Sequence, residues 1–281
     1  SGEGVWDWNY QTGEALFSPR WKRMIGYDEG EIGNRFSEWS NRVHPEDLPA
    51  LKAAIQEHIQ GRTAFAAMEY RMQCKDGRWL WMLGRGMIVS RDAEGRPLRL
   101  VGTNADISER KAAADQIEYL AFYDSLTGLP NRRLMLDRLE QALSSSARHG
   151  RKGALMLLDM DDFKTLNDTL GHDVGDQFLI EVARRLHTSI GEGDTVARVG
   201  GDEFVVILED LKDDTLVAMQ AEDVALKVLH AVSETYQLDL STGEGRKGLH
   251  SYHCTSSLGI TLFHGNAVSV EELMKRADTA M

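Results

Sequence analysis

The sequence is poor in cysteine, in long apolar runs and in net positive charge, and each shortage narrows the class of protein. Only two of its 281 residues are cysteine, Cys74 and Cys254, and neither lies in a CxxC or Cys/His cluster, so no disulfide framework or zinc site is indicated. The longest apolar runs, Ala154–Leu158 and Phe204–Leu208, are far too short to span a bilayer. A net charge of −12 argues against a nucleic acid partner. We expect a cytoplasmic setting and leave open a tether to the inner membrane through segments outside this sequence.

Tryptophan is missing from the last two thirds of the chain, because all six occur between Trp6 and Trp81. This change in composition indicates a boundary between two domains. Within the first domain, turn residues separate apolar stretches that predict strands over Val5–Tyr10, Trp79–Val89 and Leu98–Thr103. Pro49–Gln60 has a helical pattern.

Several short motifs in this first domain occur in an order typical of one sensor family. They are Trp6-Asp7-Trp8, Gly26-Tyr27, Val43-His44-Pro45-Glu46-Asp47 and Asp106-Ile107-Ser108-Glu109-Arg110-Lys111. Over roughly residues 1–111 the chain resembles the PAS family with its trailing PAC segment, and we assign residues 1–105 to that domain. The resemblance implies an antiparallel sheet with flanking helices and a ligand, which stays unknown. His44 favours a local turn over a haem ligand, and Cys74 lacks the context of a flavin adduct.

Residues 106–123 predict a helical linker between the two domains. Ala113, Ile117, Leu120 and Ala121 recur at spacings of three or four and so share one face. Such a helix either packs on its own domain or forms a parallel coiled coil with a second copy of the chain. We favour the second interpretation, which makes the protein a homodimer.

Two features of the second domain place carboxylates where strands end. The apolar run Ala154–Leu158 leads directly into Asp159-Met160-Asp161-Asp162, and a buried strand that ends in carboxylates is a natural metal site. Further on, Gly200 and Gly201 separate two strand-like runs, which predicts a hairpin whose tip presents Asp202 and Glu203.

Linked motifs around these features identify a family. They are Asp124-Ser125-Leu126-Thr127-Gly128-Leu129-Pro130-Asn131-Arg132, Asn167-Asp168, Gly171-His172-Asp173-Val174-Gly175-Asp176, and Gly200-Gly201-Asp202-Glu203-Phe204 preceded by Arg198. Over residues 124–281 the chain resembles the GGDEF family of diguanylate cyclases. The resemblance implies an α+β architecture for the whole chain, in which the second domain has a palm-like central antiparallel sheet flanked by helices. It also implies condensation of two GTP molecules into cyclic di-GMP and pyrophosphate.

The resemblance further implies roles for individual residues. Asp159, the backbone carbonyl of Met160 and Asp202 would bind Mg²⁺ or Mn²⁺, and Asp202, assisted by Glu203, would take part in catalysis. Lys164 would contact the GTP phosphates and, as a catalytic residue, offset the charge of the transition state. Asp161 lies past the end of the strand, and we expect it to cap the next helix.

Guanine reading is implied at two positions. The amide of Asn167 would serve the acceptors O6 and N7, while the carboxylate of Asp176 would accept from N1–H and the exocyclic amine. Adenine offers no such pair of donors, so GTP is favoured over ATP.

The chain departs from the family at two places. Many members carry an inhibitory product site, RxxD, and here Asp194 is present but Gly191 stands where the arginine belongs. The last helix stops at Met281, before a lysine and an arginine with which family members reach the GTP phosphates. We therefore describe the GGDEF domain over 124–281 as truncated in its last helix.

Two other functions stay open. The segment between Leu211 and Leu240 and the closing Lys275-Arg276-Ala277-Asp278 resemble GGDEF domains that act as GTP-binding regulatory modules before an EAL phosphodiesterase domain. Alternatively, the chain is mainly a sensor and dimerisation scaffold.

Overall fold

A computed structural model of the chain describes residues 2–64, 66–211, 216–240, 248–265 and 267–281. The chain divides into two compact units, Ser1–Gln116 and Ile117–Met281. Within these described ranges, no helix combines the length and the apolar character that crossing a membrane requires. Part of the segment noted above between Leu211 and Leu240, residues 212–215, lies outside them.

The N-terminal unit is built on one antiparallel sheet. Its strands follow the order β2-β1-β5-β4-β3, so the first and last strands of the unit's chain are neighbours. The predicted strands and helix lie within about two residues of the observed ones at most ends. The elements are β1 (Gly4–Asn9), β2 (Ala15–Phe17), α1 (Pro19–Met24), α2 (Phe36–Ser40), α3 (Leu48–Ile59), β3 (Ala66–Gln73), β4 (Trp79–Arg91) and β5 (Pro97–Asp106).

Aromatic side chains fill the core of this unit. Trp21 and Tyr70 are 0% and 2% exposed. Trp6 lies flat against the sheet because β4 and β5 carry glycine beneath it: a Cβ at Gly86 or Gly102 would come within 2.6 and 2.2 Å of the Trp6 ring. Four of the six tryptophans that marked this domain in the sequence, Trp6, Trp8, Trp21 and Trp39, therefore pack in or against its core.

The C-terminal unit has a second, four-stranded antiparallel sheet in the order β11-β6-β8-β7 and a separate hairpin, β9-β10. This is the central antiparallel sheet with flanking helices that the sequence predicts. The elements are α4 (Ser108–Phe122), which holds the boundary between the units, α5 (Arg132–His149), β6 (Lys152–Met160), α6 (Phe163–Leu170), α7 (His172–Ser189), β7 (Thr195–Gly200), β8 (Glu203–Leu211), α8 (Val217–Ser233), β9 (Tyr236–Asp239), β10 (Leu249–Tyr252), β11 (Ser256–His264) and α9 (Val270–Ala280).

Both faces of the central sheet are buried, which explains the unbroken apolar run of β6. Met156 and Leu158 face a core completed by α6, α7 and α8, whereas Leu155 and Leu157 face a second core completed by α5 and α9. Because side chains alternate along a strand, the next residue on the α5 and α9 side is Asp159. The strand thus delivers a carboxylate at the end of an apolar face.

Helix α4 has no buried residue. Ile117 is 69% and Leu120 46% exposed. Among the described residues, this apolar stripe is therefore exposed, and the coiled-coil interpretation stays a prediction.

Candidate functional site

The predicted hairpin is present, with a short turn at its tip. Strands β7 and β8 pair up to Gly200 and Glu203, and Gly201 and Asp202 form the turn between them. Gly201 has a φ of +42°, a conformation that favours glycine. The hairpin therefore holds Asp202 and Glu203 side by side at one end of the sheet.

The central strand brings a third carboxylate to the same place. Asp159 and Glu203 are directly opposite each other in the β6–β8 ladder, and the Asp202 carbonyl accepts a hydrogen bond from the Met160 N–H at 3.3 Å. Burial, followed by repulsion from Asp202, Glu203 and Asp161, raises the pKa of the Asp159 carboxyl above its ordinary value. Like charges opposed across a ladder destabilise a sheet.

This arrangement suits a divalent cation, which neutralises crowded carboxylates. The predicted ligands are two carboxylates and one backbone carbonyl, those of Asp159, Asp202 and Met160. Within the ranges that the structure describes, no group of three or more His, Cys, Asp and Glu side chains is placed so as to hold a metal ion. The carboxylate chemistry fits a cation, and the exact ligand set stays a prediction.

Arg198 holds the hairpin in place, a role that the sequence analysis missed. Its Nε and Nη2 donate to the Gly201 carbonyl at 2.9 and 2.7 Å, and its Nη1 donates to Asp124 Oδ1 at 3.0 Å. Asp124 also accepts from the Thr127 N–H and hydroxyl. The motif that begins at Asp124 is thereby linked to the turn that carries Gly201, Asp202 and Glu203, which we call the acidic turn. The position of Arg198, two residues before Gly200, was the sequence signal from which this role could have been inferred.

The expectation that Asp161 caps a helix is wrong. Its carboxylate accepts hydrogen bonds from the hydroxyls of Thr255 and Ser257 at the start of β11. The residue at the cap of α6 is Asp162, whose side chain makes no capping bond. Sequence spacing alone did not reveal hydroxyl donors almost a hundred residues away.

Lys164 is the second residue of α6 and is exposed. Helix α6 follows the end of β6 after two residues, so its first free N–H groups lie one short turn from the acidic cluster. An exposed lysine at a helix N-terminus is suited to a phosphate.

Asn167 and Gly175 join α6 to α7. A Cβ at Gly175 would lie 1.9 Å from Asn167 Oδ1, so glycine is required for the two helices to approach this closely. Asn167 Oδ1 is buried and has no hydrogen-bond partner among the described residues. Asp176, next to Gly175 on α7, is exposed. The structure therefore brings the predicted guanine-reading pair to one helix junction.

Asp194 lies apart from this cluster, at the opposite end of β7. Six residues of strand, about 20 Å, separate it from the hairpin tip. Its Oδ2 accepts from the Gly191 N–H at 3.0 Å and its Oδ1 from the Glu209 N–H at 3.1 Å. Beside it is an open polar cleft of about 620 Å³, to which α5 contributes Arg138 and Arg148.

Comparison with known proteins agrees with both domains. Residues 121–281 match the family described as diguanylate cyclase, GGDEF domain, and residues 14–104 match the PAS fold. The bifunctional diguanylate cyclase/cyclic di-GMP phosphodiesterase MucR of Pseudomonas aeruginosa is 40% identical over 162 residues, which are 58% of this chain and 22% of MucR. The diguanylate cyclase TpbB of the same species is 34% identical over 165 residues, 59% of this chain and 35% of TpbB.

Among solved structures, the GGDEF domain of TpbB from Pseudomonas aeruginosa is 33% identical and aligns with a TM-score of 0.49 over 56% of this chain and 85% of that one. The chain spans about a fifth to a third of the length of the curated relatives it matches.

Proposed function

The chain belongs to the GGDEF family of diguanylate cyclases, and from that premise we propose that it condenses two GTP molecules into cyclic di-GMP under the control of its PAS domain. The observation that carries the proposal is the intact acidic turn, in which Glu203 stands opposite Asp159 and Asp202 precedes Glu203 in the turn. In each half-reaction a ribose 3′-hydroxyl attacks the α-phosphate of the other GTP and pyrophosphate leaves.

Guanine would be read at the junction of α6 and α7. The Nδ2 group of Asn167 would donate to O6 and N7, and the exposed carboxylate of Asp176 would accept from N1–H and the exocyclic amine. Asn167 Oδ1 lies against Gly175 on α7, so the other side of the amide, Nδ2, is the one that can face a base.

The phosphates would lie between α6 and the acidic turn. Lys164 and the free N–H groups at the start of α6 would bind phosphate oxygens. Asp159, Asp202 and the Met160 carbonyl would hold Mg²⁺ or Mn²⁺, which supplies neutralisation of the carboxylates and of developing phosphate charge. Asp202 would accept the proton of the attacking hydroxyl, with Glu203 beside it.

Two half-sites must meet, so the active form would be a dimer. The exposed apolar stripe of α4 supports a helix-to-helix contact between two copies, since Ile117 and Leu120 are otherwise open to water. PAS control would act by changing how often the half-sites meet.

The test is formation of cyclic di-GMP from GTP by the purified protein. We expect product with Mg²⁺ or Mn²⁺, none with a chelator, and none from ATP. Asp202→Asn should remove most turnover and keep the fold, whereas the matched exposed change Asp223→Asn on α8 should keep activity. Full activity of Asp202→Asn in protein free of contaminating cyclase would overturn the assignment.

A second function is favoured by the similarity to MucR, which is bifunctional. If an EAL domain follows in the parent, the GGDEF domain would instead regulate it by binding GTP. Phosphodiesterase activity that rises with GTP, without any cyclic di-GMP made, would distinguish this role from that of a cyclase.

A further inference from the structure

The junction between β6 and α6 connects the proposed metal ligands to the proposed phosphate site. It consists of Asp161 and Asp162, which separate Met160 at the end of β6 from Phe163 at the start of α6. Asp162 has a φ of +58°, a conformation that is uncommon outside glycine, and its side chain makes no capping bond. A junction this short and strained needs support from neighbouring residues to keep one geometry.

Asp161 receives that support from the segment 255–257, which leads into β11. Its N–H donates to the Thr255 carbonyl at 3.0 Å. Its two carboxylate oxygens accept from different hydroxyls, Oδ2 from Thr255 and Oδ1 from Ser257, the latter at 3.0 Å. The backbone and the side chain of Asp161 are therefore both bound to the same three residues.

The backbone bond decides where the Met160 carbonyl points. In a trans peptide, the C=O of one residue and the N–H of the next lie in one plane and point in opposite directions. The Asp161 N–H points towards β11, so the Met160 carbonyl points to the other side of β6, where β8 lies. The Met160 N–H faces that side as well, since it donates to the Asp202 carbonyl. The Met160 carbonyl is thus aimed at the acidic turn.

The charge of Asp161 does not by itself favour this arrangement. Repulsion from Asp161 is one of the causes that raise the pKa of the Asp159 carboxyl, after burial and the charges of Asp202 and Glu203. The support comes instead from two acceptor oxygens, and their partners are hydroxyls, which can also accept. An asparagine at position 161 could keep both contacts, because its Oδ1 would accept from one hydroxyl and its Nδ2 would donate to the other.

We propose that Asp161 is a positioning residue for the cation: through Thr255 and Ser257 it holds the peptide that points the Met160 carbonyl at the acidic turn. This role rests on the proposed function, because it requires that Met160 and the carboxylates of the turn share a cation. It gives the two hydroxyls an indirect part in metal binding. Removal of outer groups of this kind typically lowers metal affinity by about 10- to 100-fold.

The test separates the hydrogen bonds of Asp161 from its charge. Uptake of Mn²⁺ by the 281-residue chain is followed through the EPR signal of the free ion, in a fixed excess of a non-hydrolysable GTP analogue, with the analogue alone as the blank. Asp161→Ala, which loses both acceptors, should bind Mn²⁺ about tenfold more weakly. Asp161→Asn, which keeps both contacts without the charge, should bind it within about threefold of the unmodified chain.

The converse variant, Thr255→Val combined with Ser257→Ala, keeps the charge and removes both donors, so it should lose Mn²⁺ affinity as Asp161→Ala does. Thr261→Val is the matched control, because Thr261 lies opposite Leu155, about 20 Å further along β11. Thermal unfolding of each variant in chelator ensures that folded proteins are compared.

Mn²⁺ binding as weak in Asp161→Asn as in Asp161→Ala would overturn the proposal, because the charge would then carry the effect. Unmodified affinity in the variant that lacks both hydroxyls would overturn it too. If the unmodified chain takes up no Mn²⁺ above the blank, the metal site and this role fall together. Uptake of Mn²⁺ without any formation of cyclic di-GMP from GTP would overturn only the cyclase.

Discussion

The two units of this chain leave opposite kinds of group unsatisfied. The N-terminal unit has two buried donors, on Trp8 and Tyr70, without a described acceptor. At the acidic turn of the C-terminal unit, burial and then repulsion among crowded carboxylates raise the pKa of Asp159. The buried donors belong to a packed aromatic core, whereas the crowded carboxylates lie at the end of a sheet, where the proposed cation would neutralise them.

The largest expected effect comes from removing the charge of one crowded carboxylate, that of Asp159. Asp159→Asn removes one of the proposed metal ligands, and we expect turnover to fall on the order of 100-fold or more. The same change removes a repelled charge, so the metal-free protein should become more stable near neutral pH. Cyclic di-GMP formation and thermal unfolding in chelator, measured on one preparation, check both directions.

The pH dependence of that stability follows from the raised pKa. Because the folded-state pKa of Asp159 lies above its unfolded value near 3.8, its contribution to stability is full below that value and lost as pH rises through the folded pKa. The advantage of the Asn variant should therefore be larger at about pH 7.5 than at about pH 4.5. A variant less stable than the unmodified protein at both would contradict the crowding.

The acidic site was largely predictable from sequence because its parts are local. A strand that ends at Asp159 and a Gly-Gly turn before Asp202 need only periodicity and turn chemistry. The bridge from Arg198 to Asp124 spans 74 residues and so was not predicted. The partners of Asp161, on β11, were missed for the same reason.

The next prediction tests whether another acceptor of the C-terminal unit serves a ligand. Asp176→Ala should weaken GTP binding about ten- to 100-fold, because a hydrogen bond to a charged acceptor contributes about 1.5–3 kcal/mol. Asp173→Ala, an equally exposed carboxylate one turn earlier on α7, is the control. Calorimetric titration with a non-hydrolysable GTP analogue gives the affinity, and an unchanged value would remove Asp176 from the site.

A third change creates further unsatisfied donors in the core of the N-terminal unit. Tyr70→Phe takes the acceptor away from both Trp39 and Asn104, and we expect the free energy of unfolding to fall by about 1–3 kcal/mol. Tyr10→Phe, whose hydroxyl has no hydrogen bond described here, should change it little. Denaturant unfolding followed by tryptophan fluorescence measures this, and a neutral effect of Tyr70→Phe would mean that the Tyr70 oxygen does not accept both hydrogen bonds.

The unpartnered buried donors of the N-terminal unit were not predictable from sequence. The tryptophans predicted a separate domain. Which of their nitrogens lack a hydrogen-bond partner depends on how β1, α2, β3 and β5 meet, and those elements are far apart in the chain.

The last and smallest effect concerns Asp194, a carboxylate whose acceptors are already satisfied. Both of its oxygens accept backbone N–H groups, from Gly191 and Glu209, and Gly191 has no side chain to grip a phosphate. Cyclic di-GMP should therefore bind this position weakly, and the active protein should show little slowing as product accumulates to micromolar levels. A Cβ at Gly191 would lie 3.1 Å from Asp194 Oδ2, so Gly191→Arg requires a small shift and should restore at most about tenfold tighter product binding. Tight binding in the unmodified protein, abolished by Asp194→Ala, would contradict this and would mean that a cation of the adjoining cleft, Arg138 or Arg148, replaces the missing arginine.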